Sequence, residues 1–170
     1  KQNKLHKIAL MFDLGDLREG YFDEEEFFNV VEEVLKLENI KLFGIATNLT
    51  CYGAIMPSEE NLGRLASLAR RIEKEYNTPL EFVSGGNSSS IDLLQGLKMP
   101  EGITNLRLGE AIALGRETAY GKCIENTYQD SFKLVCEIVE VKNKPSMPIG
   151  EIGMDAFGNV PSYEDKGILK

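Results

Sequence analysis

Ile8-Ala9-Leu10-Met11-Phe12 is an unbroken apolar run, followed at once by the polar, glycine-bearing segment Asp13-Leu14-Gly15-Asp16-Leu17-Arg18-Glu19-Gly20. A short run of this kind reads as a strand buried on both faces, the pattern of parallel sheets. A helix follows: Asp23 with Glu26 three residues on forms a capping box of aspartate type, and Phe27, Val30, Val31, Val34 and Leu35 fall on one helical face as far as Leu37. The unit then repeats. Leu42 to Ala46 is the next apolar run, Thr47 to Pro57 a loop, and Ser58 caps a helix carrying Leu62, Leu65, Leu68, Ala69 and Ile72. Leu80 to Val83 reads as a third strand, Ser84 to Ser90 as its loop, Ile91 to Leu97 as a short helix, and Thr104 to Arg107 as a fourth strand closed by Gly109.

Strands alternating with helices imply parallel pairing through crossovers, so the fold class is α/β: a doubly wound sheet or a portion of a parallel (β/α)8 barrel. The edge strands are as apolar as the central ones, which favours a barrel portion over a free-standing open sheet. After about Thr127 the pattern changes. Phe132 to Val141 mixes an apolar run with alternation, and Pro145, Pro148, Gly150, Gly153 and Gly158 then punctuate it. The expected division is a barrel portion over 1–126 and the start of a β-rich C-terminal domain over 127–170. The chain opens almost directly on a buried-type strand and closes on Gly167-Ile168-Leu169-Lys170, so a truncated piece of a longer protein is expected.

The 170 residues are 42% apolar and 27% charged, with a formal net charge of −8. This is the composition of an ordinary globular chain, and it lacks the roughly 20-residue apolar run a membrane span needs. The opening Lys1 to Lys7 followed by five apolar residues is too short for a secretory signal, and a cytoplasmic location is expected. No Lys/Arg cluster supplies the field that nucleic acid or an anionic membrane requires, which points to a small ligand. The three cysteines are unpaired in motif and the single histidine, His6, lies among lysines, so neither a disulfide framework nor a metal site is expected.

In a parallel α/β architecture ligands sit at the carboxyl ends of the strands, which singles out the loops beginning at Asp13, Thr47, Ser84 and Arg107. Together they offer two arginines, two amides, several hydroxyls and glycines that permit close backbone approach. Each signal alone has an ordinary alternative: Gly85 to Ser90 suits any flexible turn as well as a phosphate cradle, Arg18 suits a loop ion pair, and Arg107 suits stem packing. Their convergence on one end of the sheet is what suggests a site.

Four strings in register, Gly15-x-x-Arg18-x-Gly20, Gly44-Ile45-x-Thr47-Asn48, Gly86-Asn87-Ser88 and Leu106-Arg107-x-Gly109-x-Ala111-x-x-x-Gly115, resemble the later part of the barrel of alanine racemase-type pyridoxal-phosphate enzymes. The runs Asp13 to Gly20, Thr47 to Gly53 and Ser84 to Ser89 are most similar to the ornithine racemase branch of that family. The resemblance implies a fold type III barrel, pyridoxal 5′-phosphate as cofactor, a homodimer, and an isomerase interconverting L- and D-ornithine by removing and returning the α-proton. Racemases of alanine, lysine or serine, and a non-catalytic cofactor-binding protein, remain alternatives. A phosphosugar-binding domain is a third reading, with only Asp13 to serve it at a strand end.

By the same resemblance Arg107 would face the pyridine nitrogen. Its guanidinium holds its proton, so the ring is a moderate electron sink and reprotonation is favoured over transamination. Arg18 would lie near the ring phenolate, Ser88 and the backbone of Gly109 and Glu110 would hold the phosphate, and Asn87 would buttress that loop. Asn48 stands where alanine racemase has a histidine against the ring, and Leu108 where a proline is usual. The family's second base is a tyrosine from the partner subunit; the corresponding stretch here lacks one, leaving Asp155, or more weakly Tyr163, as substitute. Asp16 or Glu19 could accept the distal ammonium of a dibasic substrate. No lysine here occupies a matching motif. The resemblance places the cofactor-binding lysine before Lys1, and this piece alone is expected to be inactive.

Overall fold

The computed structural model describes residues 4–170. Two compact units divide between Phe132 and Lys133. In the first, strands β1 (His6–Met11), β2 (Ile40–Ala46) and β3 (Phe82–Ser84) form a three-stranded parallel sheet in the order β1-β2-β3. Helix α1 (Glu24–Leu35) connects the first pair and α2 (Glu59–Tyr76) the second. The α/β alternation expected from the sequence is therefore present, as an open sheet.

The caps act where the sequence places them. The Asp23 side chain accepts the Glu26 amide at 2.9 Å, and α2 starts with a reciprocal box in which Ser58 Oγ accepts from Asn61 N at 3.1 Å while Asn61 Oδ1 accepts from Ser58 N at 2.9 Å. Asn77, in the left-handed conformation at φ 48°, ends α2. The apolar faces of both helices enter one core: Phe27, Val31 and Val34 from α1, Leu65, Leu68, Ala69 and Ile72 from α2, meeting Leu42, Ile45 and Val83 of the sheet and Phe12 just after β1. Arg64 and Arg71 of α2 both reach Glu24 of α1, so the two helices lie side by side on one face. Phe12 and Phe27 meet edge to face at 5.1 Å, a contact that adds orientation to the burial energy.

Gly44 makes the β2–β3 pairing possible. A Cβ built there would overlap the Phe82 carbonyl oxygen, so no side chain fits. Beside it the β1–β2 register shifts between Ile8 and Ala9, which leaves Phe43 as an extra residue on β2.

Within the first unit three expected elements differ from the structure. β1 lies at the sheet edge, where Ala9 is exposed and Ile8 and Leu10 only half-buried, because burial on both faces requires a packed layer over each and α1 and α2 share one face. Thr104 to Arg107 runs beside β3 but pairs as a single parallel bridge, Ser84 with Asn105. There Thr104 Oγ1 accepts the Val83 amide at 3.0 Å, replacing a ladder bond with a side-chain one. The helix expected to Leu97 ends at Gln95: a 3-10 turn, Ser88–Ser90, leads into α3 (Ile91–Gln95), and α4 (Glu110–Leu114) follows Gly109.

The second unit contains one antiparallel pair, β4 (Lys144–Pro145) with β5 (Ile168–Leu169). Phe132 to Val141, expected to carry β structure, forms no strand, and Leu134, Val135 and Val139 are exposed, since an extended apolar segment becomes a strand only against a partner. Among the described residues no helix is long and apolar enough to cross a membrane, no cluster of three metal-ligating side chains occurs, and the three cysteines are free and exposed. His6, the first residue of β1, is exposed.

Candidate functional site at the carboxyl ends of the strands

Because the strands are parallel, the loops leaving β1, β2 and β3 emerge at one end of the sheet, where a buried carboxylate ties the first two together. Asp16 is fully enclosed; its Oδ1 accepts the amides of Thr50 and Ile55 and its Oδ2 that of Tyr52, each at 3.0 Å. Burial alone would raise its pKa, but the amides of Ile55, Tyr52, Gly53 and Thr50 outweigh that and hold the carboxyl below its ordinary value. Asp16 thus fixes the β2 loop, with Thr50 held at φ 76°, and is not available to a substrate's ammonium, contrary to expectation. Asp13 closes its own loop in the same way, its Oδ1 accepting from Gly15 N at 2.8 Å and Leu17 N at 3.1 Å. Asp13 does not line the cavity between these loops.

Between the loops lies a cavity of about 520 Å³ lined by Arg18, Asn48, Thr50, Cys51, Asn87, Ser88, Arg107, Gly109, Glu110 and Thr118. All seven residues singled out for cofactor binding are in this wall. Asn87 Nδ2 donates to the Leu49 carbonyl at 3.0 Å and its Oδ1 accepts from Ser89 N at 2.9 Å, joining the β2 and β3 loops. Ser88 Oγ accepts the Ala111 amide at 3.1 Å, joining the β3 loop to α4 and leaving its own proton free to be donated. An added Cβ on Gly109 would meet nothing of the chain within 4 Å, so a side chain there would project into open space at this wall.

Arg107 is the most constrained cation. Its Nη1 donates to Ser84 Oγ at 2.7 Å, and its Nη2 to the Thr47 carbonyl at 2.8 Å and to Asn48 Oδ1 at 2.7 Å. Desolvation lowers its pKa from the usual arginine value, the Glu19 charge raises it and the Arg18 charge lowers it. It stays a cation and a permanent donor at any physiological pH. Glu19 is engaged on both oxygens: Arg18 Nε lies 2.8 Å from Oε2, and Asn48 Nδ2 donates to Oε1. Each of its oxygens thus holds a side chain of the cavity wall.

Thr50, Cys51 and Thr118 in the wall were not legible as site residues. Thr118 sits on a turn organised by Glu117, a buried carboxylate that accepts the amides of Ala119, Tyr120 and Lys122, and an isolated glutamate before a turn gives no such signal. The Thr47 hydroxyl, beside Asn48, is buried without a hydrogen-bond partner among the described residues. No lysine, histidine or tyrosine lines the cavity among the described residues. Asp155 belongs to the second unit, where its Oδ1 accepts from Phe157 N and Asn159 N, each at 2.9 Å. The amides of Asn159 and Phe157 hold its carboxyl below the usual range, and in this chain it closes a turn apart from the cavity's lining. Tyr163 lies in the same unit and is exposed.

Two curated relatives cover nearly all of the chain. It is 58% identical over 168 residues, 99% of its own length, to an ornithine racemase of Acetoanaerobium sticklandii, and 41% identical over 164 residues, 96% of its length, to a lysine racemase of Thermotoga maritima. Those alignments take in 48% and 45% of the relatives, so the chain spans about half the length of the curated proteins it matches. The family model described as alanine racemase, N-terminal domain, matches residues 1–117, the segment that contains the three parallel strands, Arg18, Asn48, Ser88 and Arg107, and the chain belongs to that family.

Proposed function

We propose that this chain is part of a pyridoxal-phosphate-dependent amino-acid racemase acting on ornithine, and that the cavity at the strand ends is the cofactor's seat. The observation that carries the reading is the convergence of Arg18, Asn48, Asn87, Ser88, Arg107, Gly109 and Glu110 on one wall. The donor set fits the group. A phosphate is matched by the free hydroxyl proton of Ser88 and by the bare backbone at Gly109, where a Cβ would stand in open space. The volume, about 520 Å³, is within the range of cofactor sites.

When bound, pyridoxal phosphate supplies the electron sink that makes an amino acid's α-proton removable. Arg107, fixed by Ser84, Thr47 and Asn48, offers a hydrogen bond while keeping its proton, which suits it to a ring nitrogen that is to remain unprotonated. Arg18 adds positive charge on the same wall. The three-stranded sheet fits an arc of a (β/α)8 barrel, because α1 and α2 share one face, whereas a doubly wound sheet carries helices on both. The residues after Thr127 are proposed as the start of a β-rich second domain and the whole protein as a homodimer. Ornithine is favoured by the 58% identity to the ornithine racemase over almost the whole chain.

The test uses the whole protein containing this chain, loaded with pyridoxal phosphate and given L-ornithine or D-ornithine separately. Chiral chromatography is expected to show both approaching the same equal mixture. Arg107→Ala should lower kcat about a hundredfold, the scale on which a preorganised donor contributes to a rate. Cofactor bound in the cavity with no inversion of any amino acid would refute the reading.

A further inference from the structure

We propose that Glu19 is a positioning residue that fixes the orientation of the Asn48 amide and, through it, the guanidinium of Arg107; for its bearing on catalysis this rests on the cavity being the cofactor's seat. Asn48 has one accepting and one donating end. Its Oδ1 faces Arg107 Nη2 at 2.7 Å and its Nδ2 faces Glu19 Oε1. Turning the amide over would set donor against donor at Arg107 and acceptor against acceptor at Glu19, so the pair of neighbours permits one orientation only. Glu19 enforces half of that choice.

The relay crosses three loops: Glu19 follows β1, Asn48 follows β2, and Arg107 follows the segment paired with β3. Its far end is braced, since Ser84 Oγ, which accepts from Arg107 Nη1, donates to Asn105 Oδ1 at 3.0 Å. Its near end carries the balancing charge. Arg18 and Arg107 both stand in the cavity wall and repel each other, and Glu19, ion-paired to Arg18 at 2.8 Å, offsets that repulsion. The opposing influences of Glu19 and Arg18 on the Arg107 pKa agree with this placement. With one oxygen on Arg18 and the other on Asn48, Glu19 orients two groups of the wall at once.

Three variants of the whole protein, Glu19→Ala, Asn48→Ala and the double substitution, test the relay, with melting curves to confirm folding and Glu19→Gln to restore an acceptor oxygen without the charge. In the crystal structure of cofactor-free Glu19→Ala, Arg107 is expected to leave Asn48 and Thr47; an Arg107 unmoved there overturns the inference whether or not the protein binds pyridoxal phosphate. With pyridoxal phosphate as probe, each single variant should bind about tenfold more weakly, the double no worse than the weaker single, and Glu19→Gln should recover part of the loss. Losses that add in the double variant contradict the relay. So does unchanged cofactor affinity with KM raised for ornithine but not for alanine, which would make Glu19 the ammonium acceptor. A wild-type protein that neither binds the cofactor nor racemises fails the proposed function instead, while the Arg107 displacement still decides the relay.

Discussion

Asp13, Asp16 and Glu117 are all buried, and each accepts backbone amides of the segments around the cavity. Their chemistry is that of a turn template: an ionised carboxylate offers several acceptor sites and can satisfy amides that no ladder reaches. Asp16→Ala should lower stability by about 3 kcal/mol, because buried amides lose their partner, and urea unfolding measures it. The pH dependence follows in sign. A carboxyl depressed in the folded state contributes stability that is fully present above its unfolded pKa, about 3.9, and is lost as pH falls through the lower folded value. Asp16→Ala should therefore flatten the acid limb of the unfolding curve below about pH 4, and an unchanged limb would show that the carboxylate is not the group responsible.

At the scale of elements, the approach of β2 to β3 at Gly44 is the sharpest demand on sequence. Gly44→Ala would force the strands apart or break the pairing, at a cost of about 3 kcal/mol or more, to be read as a fall in thermal midpoint and loss of amide protection along β2. Helix α2 was the most legible element, since its cap, its apolar stripe and its Asn77 terminus are all local signals. β2 was legible as a buried strand for a similar reason: it is central, and Leu42, Gly44, Ile45 and Ala46 are buried. The Thr104 to Arg107 segment was legible as extended and not as a bridge, because the Thr104 hydroxyl bond that replaces a ladder bond has no periodicity. Phe132 to Val141 carries the composition of a strand, but composition specifies no partner. At the site, the residues that converge could be named from motif and topology. The duties of Asp16 and Glu19 could not, since their partners at Thr50, Tyr52, Ile55 and Asn48 come from another loop, and Glu117, whose amide partners are local, stands in no recognisable turn motif.

For the molecule as a whole, the chain accounts for about half the length of its curated relatives, and no lysine lines the cavity among the described residues. Borohydride reduction of the whole cofactor-loaded protein, followed by peptide mass mapping, should place the modified lysine outside this chain. Modification of Lys122, which lies 3.2 Å from Asp92 and over the Tyr120 ring, would contradict that. A crystal structure of the whole protein soaked with pyridoxal phosphate decides where the cofactor sits. Cofactor density is expected in the cavity between the β1, β2 and β3 loops, with the phosphate against Ser88 and Gly109 and the ring nitrogen within hydrogen-bond distance of Arg107. Cofactor bound elsewhere, or bound there with Arg107 facing away from the ring, would contradict it.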